Sequence, residues 1–234
     1  MDETERDYIQ SKMYVKEPTG TDRSIRRTKE QAEQTRRNIM AAALRTFSRR
    51  GIAHTTLEEI AAAARVTRGA IYWHFADKQA LVKAIRDDVS LPLVDRADFT
   101  LLKDRNSDPL ERVERFLADL VEAIESSART RQALCVLSFK CEYVGELKGE
   151  LKEYGRKNER LRQALTEVYG EARGRGQLRE DLTPEIAALE TVVFLAGLLR
   201  LSLMDAGCTL VREQAQQIIA THVRGRRRAQ GAKA

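Results

Sequence analysis

The stretch TTLEEIAAAARVTRGAIYWHF, residues 55–75, constrains the fold more tightly than any other part of the chain. Leu57, Ile60, Ala61 and Ala64 recur at the spacing of one helix face, and Val66, Ala70, Ile71 and Phe75 form a second apolar set after a short break. Thr55 or Thr56 can cap the first segment, because Glu58 and Glu59 each place an acid three residues further on. Thr67 caps the second. Two short helices joined by so brief a link form a helix-turn-helix, in which the first helix braces the second.

The flanking sequence supplies the rest of such a unit. From Thr28 the pattern is helical, with Ile39, Ala42, Ala43 and Phe47 on one face and Gly51 as the stop. Asp77 caps a fourth helix carrying Leu81, Val82 and Ile85. The segment SLPLVDRADF, residues 90–99, is expected to be a loop. Asp108–Pro109 then starts a helix lined by Leu110, Val113, Leu117, Leu120, Val121 and Ile124. Further helices are expected over 130–144, 147–174, from Thr183–Pro184 onward, and 211–222. No strand alternation occurs, so the fold class is all-α. The expected organisation is a flexible arm (1–25), a three-helix head of helix-turn-helix type (26–75), a longer helical region (76–223) and a flexible basic tail (224–234).

Charge agrees with that division. Residues 26–88 carry thirteen bases against seven acids, and residues 223–234 add five bases with no acid, while 89–222 is net acidic. A basic head suits phosphate neutralisation, although a merely solvated face has the same composition. Outward positions of the second short helix are Thr67, Arg68, Gly69, Tyr72, Trp73 and His74. Arg68 can pair with guanine O6 and N7, and Thr67, Tyr72 and His74 suit phosphate oxygens. Lys78 would add charge at the next helix start. A small helical core with aromatics packed only for stability remains the alternative.

RRTKEQAEQTRRNIMAAALRTFSRRG, TTLEEIAAAARVTRGAIYWHFADKQAL and the spacing between them resemble the N-terminal domain of TetR/AcrR-family repressors over residues 26–88. The resemblance implies DNA contacts at Thr56, Thr67, Arg68, Gly69, Ala70, Tyr72, Trp73, His74 and Lys78, with an arm of Arg26, Arg27 and Lys29. Arg65 stands where that family usually has glycine, and a left-handed turn costs a non-glycine residue about 1–2 kcal/mol. Arg65 therefore reshapes the turn or adds a phosphate contact. Further on, RQALCVLSFKCEYVGEL resembles repressors of RND-type multidrug efflux operons. The family resemblance implies a double-stranded operator as partner of a DNA-binding domain at 26–75, a ligand-binding and dimerisation domain over 76–223, and a homodimer formed by the last two helices; the efflux likeness implies release by a small hydrophobic or cationic inducer.

Leu91, Leu93, Phe116, Leu120, Ser138, Phe139, Tyr143, Asn158 and Phe194 are candidate pocket residues, each weighed against ordinary core packing. Glu142 and Glu146 could meet a cationic drug or simply face water. The segment 186–204 is too continuously apolar for a helix with one buried face, and the family resemblance then implies that Leu189, Val193, Ala196 and Leu203, with Val211, Ala215 and Ile218, serve mainly the dimer. Cys135, Cys141 and Cys208 form no CxxC pair, so neither a zinc site nor a disulfide framework is expected. His222 stands apart from any nucleophile, and no catalytic or cofactor motif is present, so an enzyme is not expected. No unbroken run of 18 apolar residues and no apolar leader occurs; a cytoplasmic protein without a spanning helix is expected. Two alternatives stand beside the efflux reading: a family regulator of stress, lipid or catabolic genes, and a helical ligand-binding module without DNA contact.

Overall fold

The computed structural model describes residues 20–142, 147–204 and 209–229, apart from the side chains of residues 20–27, 91, 93–98, 150, 209 and 210. The described residues form helices α1 (Gly20–Arg50), α2 (Leu57–Ala64), α3 (Arg68–His74), α4 (Lys78–Ala97), α5 (Pro109–Glu125), α6 (Ala128–Phe139), α7 (Lys148–Gly174), α8 (Pro184–Met204) and α9 (Thr209–Arg224). A π-helical segment, Asp98–Lys103, follows α4 directly. Among the described residues no strand forms, and the all-α expectation holds.

The first core joins α1, α2, α3 and α4. Ile39, Ala42, Ala43 and Phe47 are fully buried, and Ile60, Ile71 and Leu81 close over them from the next three helices. Ala133 and Val136 of α6 belong to this same cluster, so the head shares its core with a helix of the C-terminal region. Gly51 ends α1 at φ 80°, a conformation open to glycine at little cost, and its N–H donates to Phe47 O at 2.8 Å. A second core gathers α5, α7, α8 and α9 around Leu117, Leu165, Tyr169, Leu195 and Ile219. Asp108 caps α5 as expected, accepting from the N–H groups of Leu110 and Glu111. Arg112 of α5 is fully buried; it pairs with Glu171 of α7 and donates to Asp104 O. A buried guanidinium is tolerable only with partners of this kind.

Three boundaries differ from the sequence expectation. α1 begins at Gly20, so residues 20–25 extend the helix rather than the arm. α4 runs through the expected loop to Ala97 with Pro92 inside it. Proline removes one backbone donor, and the buried Thr100 and Leu101 immediately beyond hold the continuing chain against the core. α6 stops at Phe139, short of residue 144. α8 is long and apolar enough, by length and composition, to cross a bilayer, although Glu190 and Arg200 break its apolar run. Here it packs on α7 and α9, burying Ala187, Ala188, Thr191, Leu195, Leu198 and Ser202.

The largest departure is in the described part of the basic tail; residues 230–234 lie outside the described residues. Residues 225–229 are not frayed: Leu178 and Arg227 form an antiparallel bridge, with Arg179 N donating to Arg226 O at 3.0 Å and Arg228 N to Gln177 O at 2.7 Å. Arg226 is buried, reaching Glu190 at 2.9 Å and His222 O at 2.6 Å. Arg227 grips both Asp108 oxygens at 3.1 Å. These acids lie far away in sequence, so an arginine run looks solvated until the fold brings them in. The expected consequence is graded. Arg226→Ala lowers stability by about 2 kcal/mol, as for a charged hydrogen bond lost at a buried position. Arg228→Ala, whose ion pair with Glu180 is exposed on both sides, changes it by about 0.5 kcal/mol or less. Urea unfolding midpoints of the two variants check the contrast.

Candidate nucleic-acid interface and ligand cavity

Thr56 caps α2 in a complete capping box: its side chain accepts from Glu59 N at 3.2 Å, and its own N–H donates to Glu59 Oε2 at 3.0 Å. The capping hydrogen bond, with Arg50 close by, holds the Glu59 carboxyl below its ordinary pKa against a smaller opposing effect of burial. α2 ends at Arg65, in the left-handed region at φ 57°, ψ 41°, with its N–H directed to Ala61 and Ala62 carbonyls. Thr67 then caps α3 by accepting from Ala70 N at 3.1 Å. Ile71 and Phe75 are buried and Val66 packs partly against the same core, so α3 is seated by its apolar side as expected.

Seating fixes what faces outward. Thr56, Arg65, Thr67, Arg68 and Gly69 are exposed, and Trp73 stands 73% exposed beside Tyr72 at 44%, far beyond what a packing role requires. A Cβ on Gly69 would meet only Thr67 Oγ1 at 4.0 Å, so no packing within the protein demands glycine there. Close approach of another molecule would demand it. Ala70 is half-buried and divides its surface between the two sides. His74 is half-buried as well, edge-on to Trp73 at 4.5 Å; burial, then the nearby Arg36 charge, push its pKa down. It turns toward a hollow with Arg36, Lys83 and Asp87 rather than wholly outward.

Glu58, which by sequence is only a capping acid, holds this face in order. Its Oε1 lies 3.0 Å from Arg68 Nη2 and accepts from Tyr72 OH at 3.3 Å, while the Arg68 guanidinium sits 5.9 Å from the Tyr72 ring centre. A turn-spanning contact of this kind leaves no periodic trace in a sequence. Lys78 departs further from expectation. Its ammonium donates to the carbonyls of Ile52, Ala53 and Thr55 at 3.0, 3.3 and 3.1 Å, which uses all three of its hydrogens within the fold. Lys29 is exposed on α1; the side chains of Arg26 and Arg27 lie outside the described residues.

Behind the head, α4, α6, α7 and α8 enclose a cavity of about 480 Å³. Val82, Val89, Leu134, Leu137, Leu199 and Leu203 supply apolar wall; Arg86, Ser90, Lys157 and Arg200 supply polar groups. Of the expected pocket residues, Ser138 and Asn158 are on this wall. Phe139 stands near its rim, with Arg200 4.9 Å from its ring centre. Phe116 and Leu120 are buried in the second core instead. Phe194 is elsewhere too: it stacks on His222 at 3.8 Å, beside a different hollow with Arg179 and Glu190. Both corrections have one cause, since a helix has several apolar sides and spacing alone does not say which one meets a void. Leu91, Leu93, Tyr143 and Glu146 have side chains outside the described residues, and Glu142 is exposed. Cys135 donates to Leu203 O at 3.4 Å, and burial pushes its thiol pKa up, as suits a structural cysteine. Cys141 is half-buried, and Cys208 lies outside the described residues.

The profile described as "Bacterial regulatory proteins, tetR family" matches residues 39–85, and "MAATS-type transcriptional repressor, C-terminal region" matches residues 108–225. The HTH-type transcriptional regulator TtgR of Pseudomonas putida is 38% identical over 178 residues, 75% of this chain and 83% of that protein. The chain belongs to the TetR family. It is therefore a transcriptional regulator and not an enzyme. The repressor BepR of Brucella suis biovar 1 is 30% identical over 179 residues, 75% of this chain and 83% of its own length. Among solved structures, NalD, the secondary repressor of the MexAB-OprM multidrug efflux pump in Pseudomonas aeruginosa, superposes with a TM-score of 0.76. That alignment is 28% identical and covers 86% of this chain and 99% of NalD.

Within this TetR-family head, Arg65 is the sole described residue other than glycine at positive φ. Its strain is a local cost that glycine would remove. Arg65→Gly is expected to raise stability by about 1 kcal/mol, read from urea unfolding, and to weaken operator binding, read by gel shift. Unchanged affinity in the stabilised variant would exclude a phosphate contact by Arg65.

Proposed function

We propose that the chain is a dimeric repressor of a multidrug efflux operon, acting in the cytoplasm and leaving its operator when a small hydrophobic ligand fills the cavity behind the head. One observation carries this reading. The helix that presents Arg68, Tyr72 and Trp73 to solvent is separated by three residues from α4, and α4 contributes Val82, Arg86, Val89 and Ser90 to the cavity wall. A ligand that packs better against one tilt of α4 than another changes the population of head positions, by no more than its differential affinity for the two. The relatives support the circuit: NalD is named as an efflux-pump repressor, and SmeT is solved as a complex with triclosan. Thr67, Arg68, Gly69, Tyr72 and Trp73 are proposed to meet the major groove, with Thr56, Arg65, Ala70, His74 and the Lys29 arm at its border. Because its donors are already taken by carbonyls, Lys78 is proposed to position the head.

A stripe along α8 points to the second subunit. Ile186, Leu189, Val193, Leu201 and Met204 are all exposed, at 46%, 49%, 65%, 49% and 61%, and Ile218 of α9 is exposed beside them. The expected dimer set is thereby revised. Ala215 is buried in the second core, Val211 packs partly on it, and Ala196 and Leu203 line the cavity. A two-fold dimer through this stripe would place two heads on successive half-sites.

A gel shift on the DNA upstream of the chain's own gene, at low salt, is expected to show a retarded complex that weakens steeply with added salt. Triclosan is expected to release it. No retardation at low salt overturns the repressor reading. Val193→Asp, which puts a charge in the proposed interface, is expected to yield a folded monomer in sedimentation with operator affinity lower by roughly 100-fold. A dimer of unchanged stability would overturn the α8 interface.

A further inference from the structure

We propose that the cavity is specific for an amphiphilic anion, an aromatic weak acid whose carboxylate or phenolate is taken by Lys157 and Arg86 while its ring lies on the leucine and valine wall. This rests on the reading of the cavity as the inducer site and narrows it.

The argument begins with the distribution of charge. Arg86, Lys157 and Arg200 are on the wall, and among the described residues that line the cavity there is no Asp or Glu. Arg86 and Lys157 sit together where α4 faces α7. Lys157 Nζ donates to Ser90 Oγ at 2.7 Å and lies 3.8 Å from Asp87 Oδ1. That Asp87 carboxylate is shared: Arg86 Nη2 is 3.2 Å away and Lys83 Nζ 3.0 Å away. Asp87 borders the His74 hollow rather than the cavity. Glu153, one turn before Lys157, is bonded to Arg156 at 2.7 Å. Arg200, on the opposite wall, leans over the Phe139 ring.

Both cations of the α4–α7 corner are drawn well out of water, with side-chain exposures of 13% for Arg86 and 28% for Lys157. Charges held in such a place gain from any anion that joins them. Desolvation pulls the Lys157 pKa down, which is the same cost seen from the proton's side. A neutral apolar ligand would leave that cost in place, and a cationic drug would add to it. Of the inducer classes implied by family resemblance, the proposal narrows the hydrophobic one to its acidic members and sets the cationic one aside. The cavity volume suits a bicyclic ring system with one acidic group.

The test uses three probes of one shape on the full-length protein: 2-naphthoate, 2-naphthamide and 2-naphthylmethylamine, titrated calorimetrically. Naphthoate is expected to bind at least tenfold more tightly than the amide, and the amine more weakly than either. Lys157→Gln is expected to bring the acid-to-amide ratio close to one, and Lys157→Arg to restore most of it. Circular dichroism and urea midpoints check that both variants fold. Equal or tighter binding of the amide or amine, an acid preference that survives Lys157→Gln, or no saturable binding of naphthoate overturns the proposal. Operator release by a neutral drug such as chloramphenicol, with no naphthoate binding, would sink the anion site and leave the repressor reading standing.

Discussion

The arrangement of the whole molecule turns on the Lys78 ammonium and the three carbonyls it holds. A lysine with every hydrogen bonded to backbone ties the turn at residues 52–55, just ahead of α2, to the first residue of α4. The same turn has a second attachment, because Ile52 N donates to Lys140 O at the end of α6. Gln132 of α6 adds a bond to Ser48 of α1. The head is thus held at its back by two helices, α4 and α6, and both contribute residues to the cavity. Attachment to two walls of one void is what the proposed release requires, because a change in the void would then move the head as a body.

On the outer side, economy of residues governs the interface. Thr56 and Thr67 accept from backbone N–H groups at their helix starts, yet both remain exposed, each hydroxyl hydrogen free to donate elsewhere. Glu58 holds Arg68 and Tyr72 in place before any partner arrives, which lowers the side-chain entropy lost on docking. If Arg68 meets a base as proposed, Glu58 must give it up or compete for it. A guanidinium already paired discriminates more sharply between a well-placed guanine and a poor contact, because only the former offsets the lost ion pair.

Much of the architecture was legible in the residues. The capping pattern at Thr55 or Thr56, Thr67, Asp77 and Asp108 marks four helix starts, with Thr56 the cap actually used, and the 3.6-residue stripes of α1 and α5 name their buried faces without error. What stayed hidden depends on contacts distant in sequence. The role of Lys78 depends on carbonyls more than twenty residues earlier, and the arginines at 226 and 227 find acids 36 and 119 residues away. The site shows the same division. Short-range geometry identifies the outward face of α3, whereas the cavity wall draws one or two turns from each of four helices, and no single stripe records it. Charge in the cavity was invisible for the same reason, since Arg86 and Lys157 each look like an ordinary solvated position in their own helix.

α8 joins these surfaces. Its residues near 187, 191, 195 and 198 are buried against the second core, Ala196, Leu199 and Leu203 face the cavity, and the stripe through Leu189, Val193 and Met204 is left uncovered. That threefold division explains why the segment shows no single apolar face. It also has a mechanical consequence. A ligand between α4 and α8 presses on the head's support from one side and on the proposed subunit interface from the other. The two responses cannot be independent, because one rigid helix carries both contacts. If the ligand-filled spacing of α4 and α8 disfavours the operator-bound pairing, as proposed, then by linkage operator DNA lowers the affinity of the cavity for its ligand by the same factor by which the ligand lowers operator affinity.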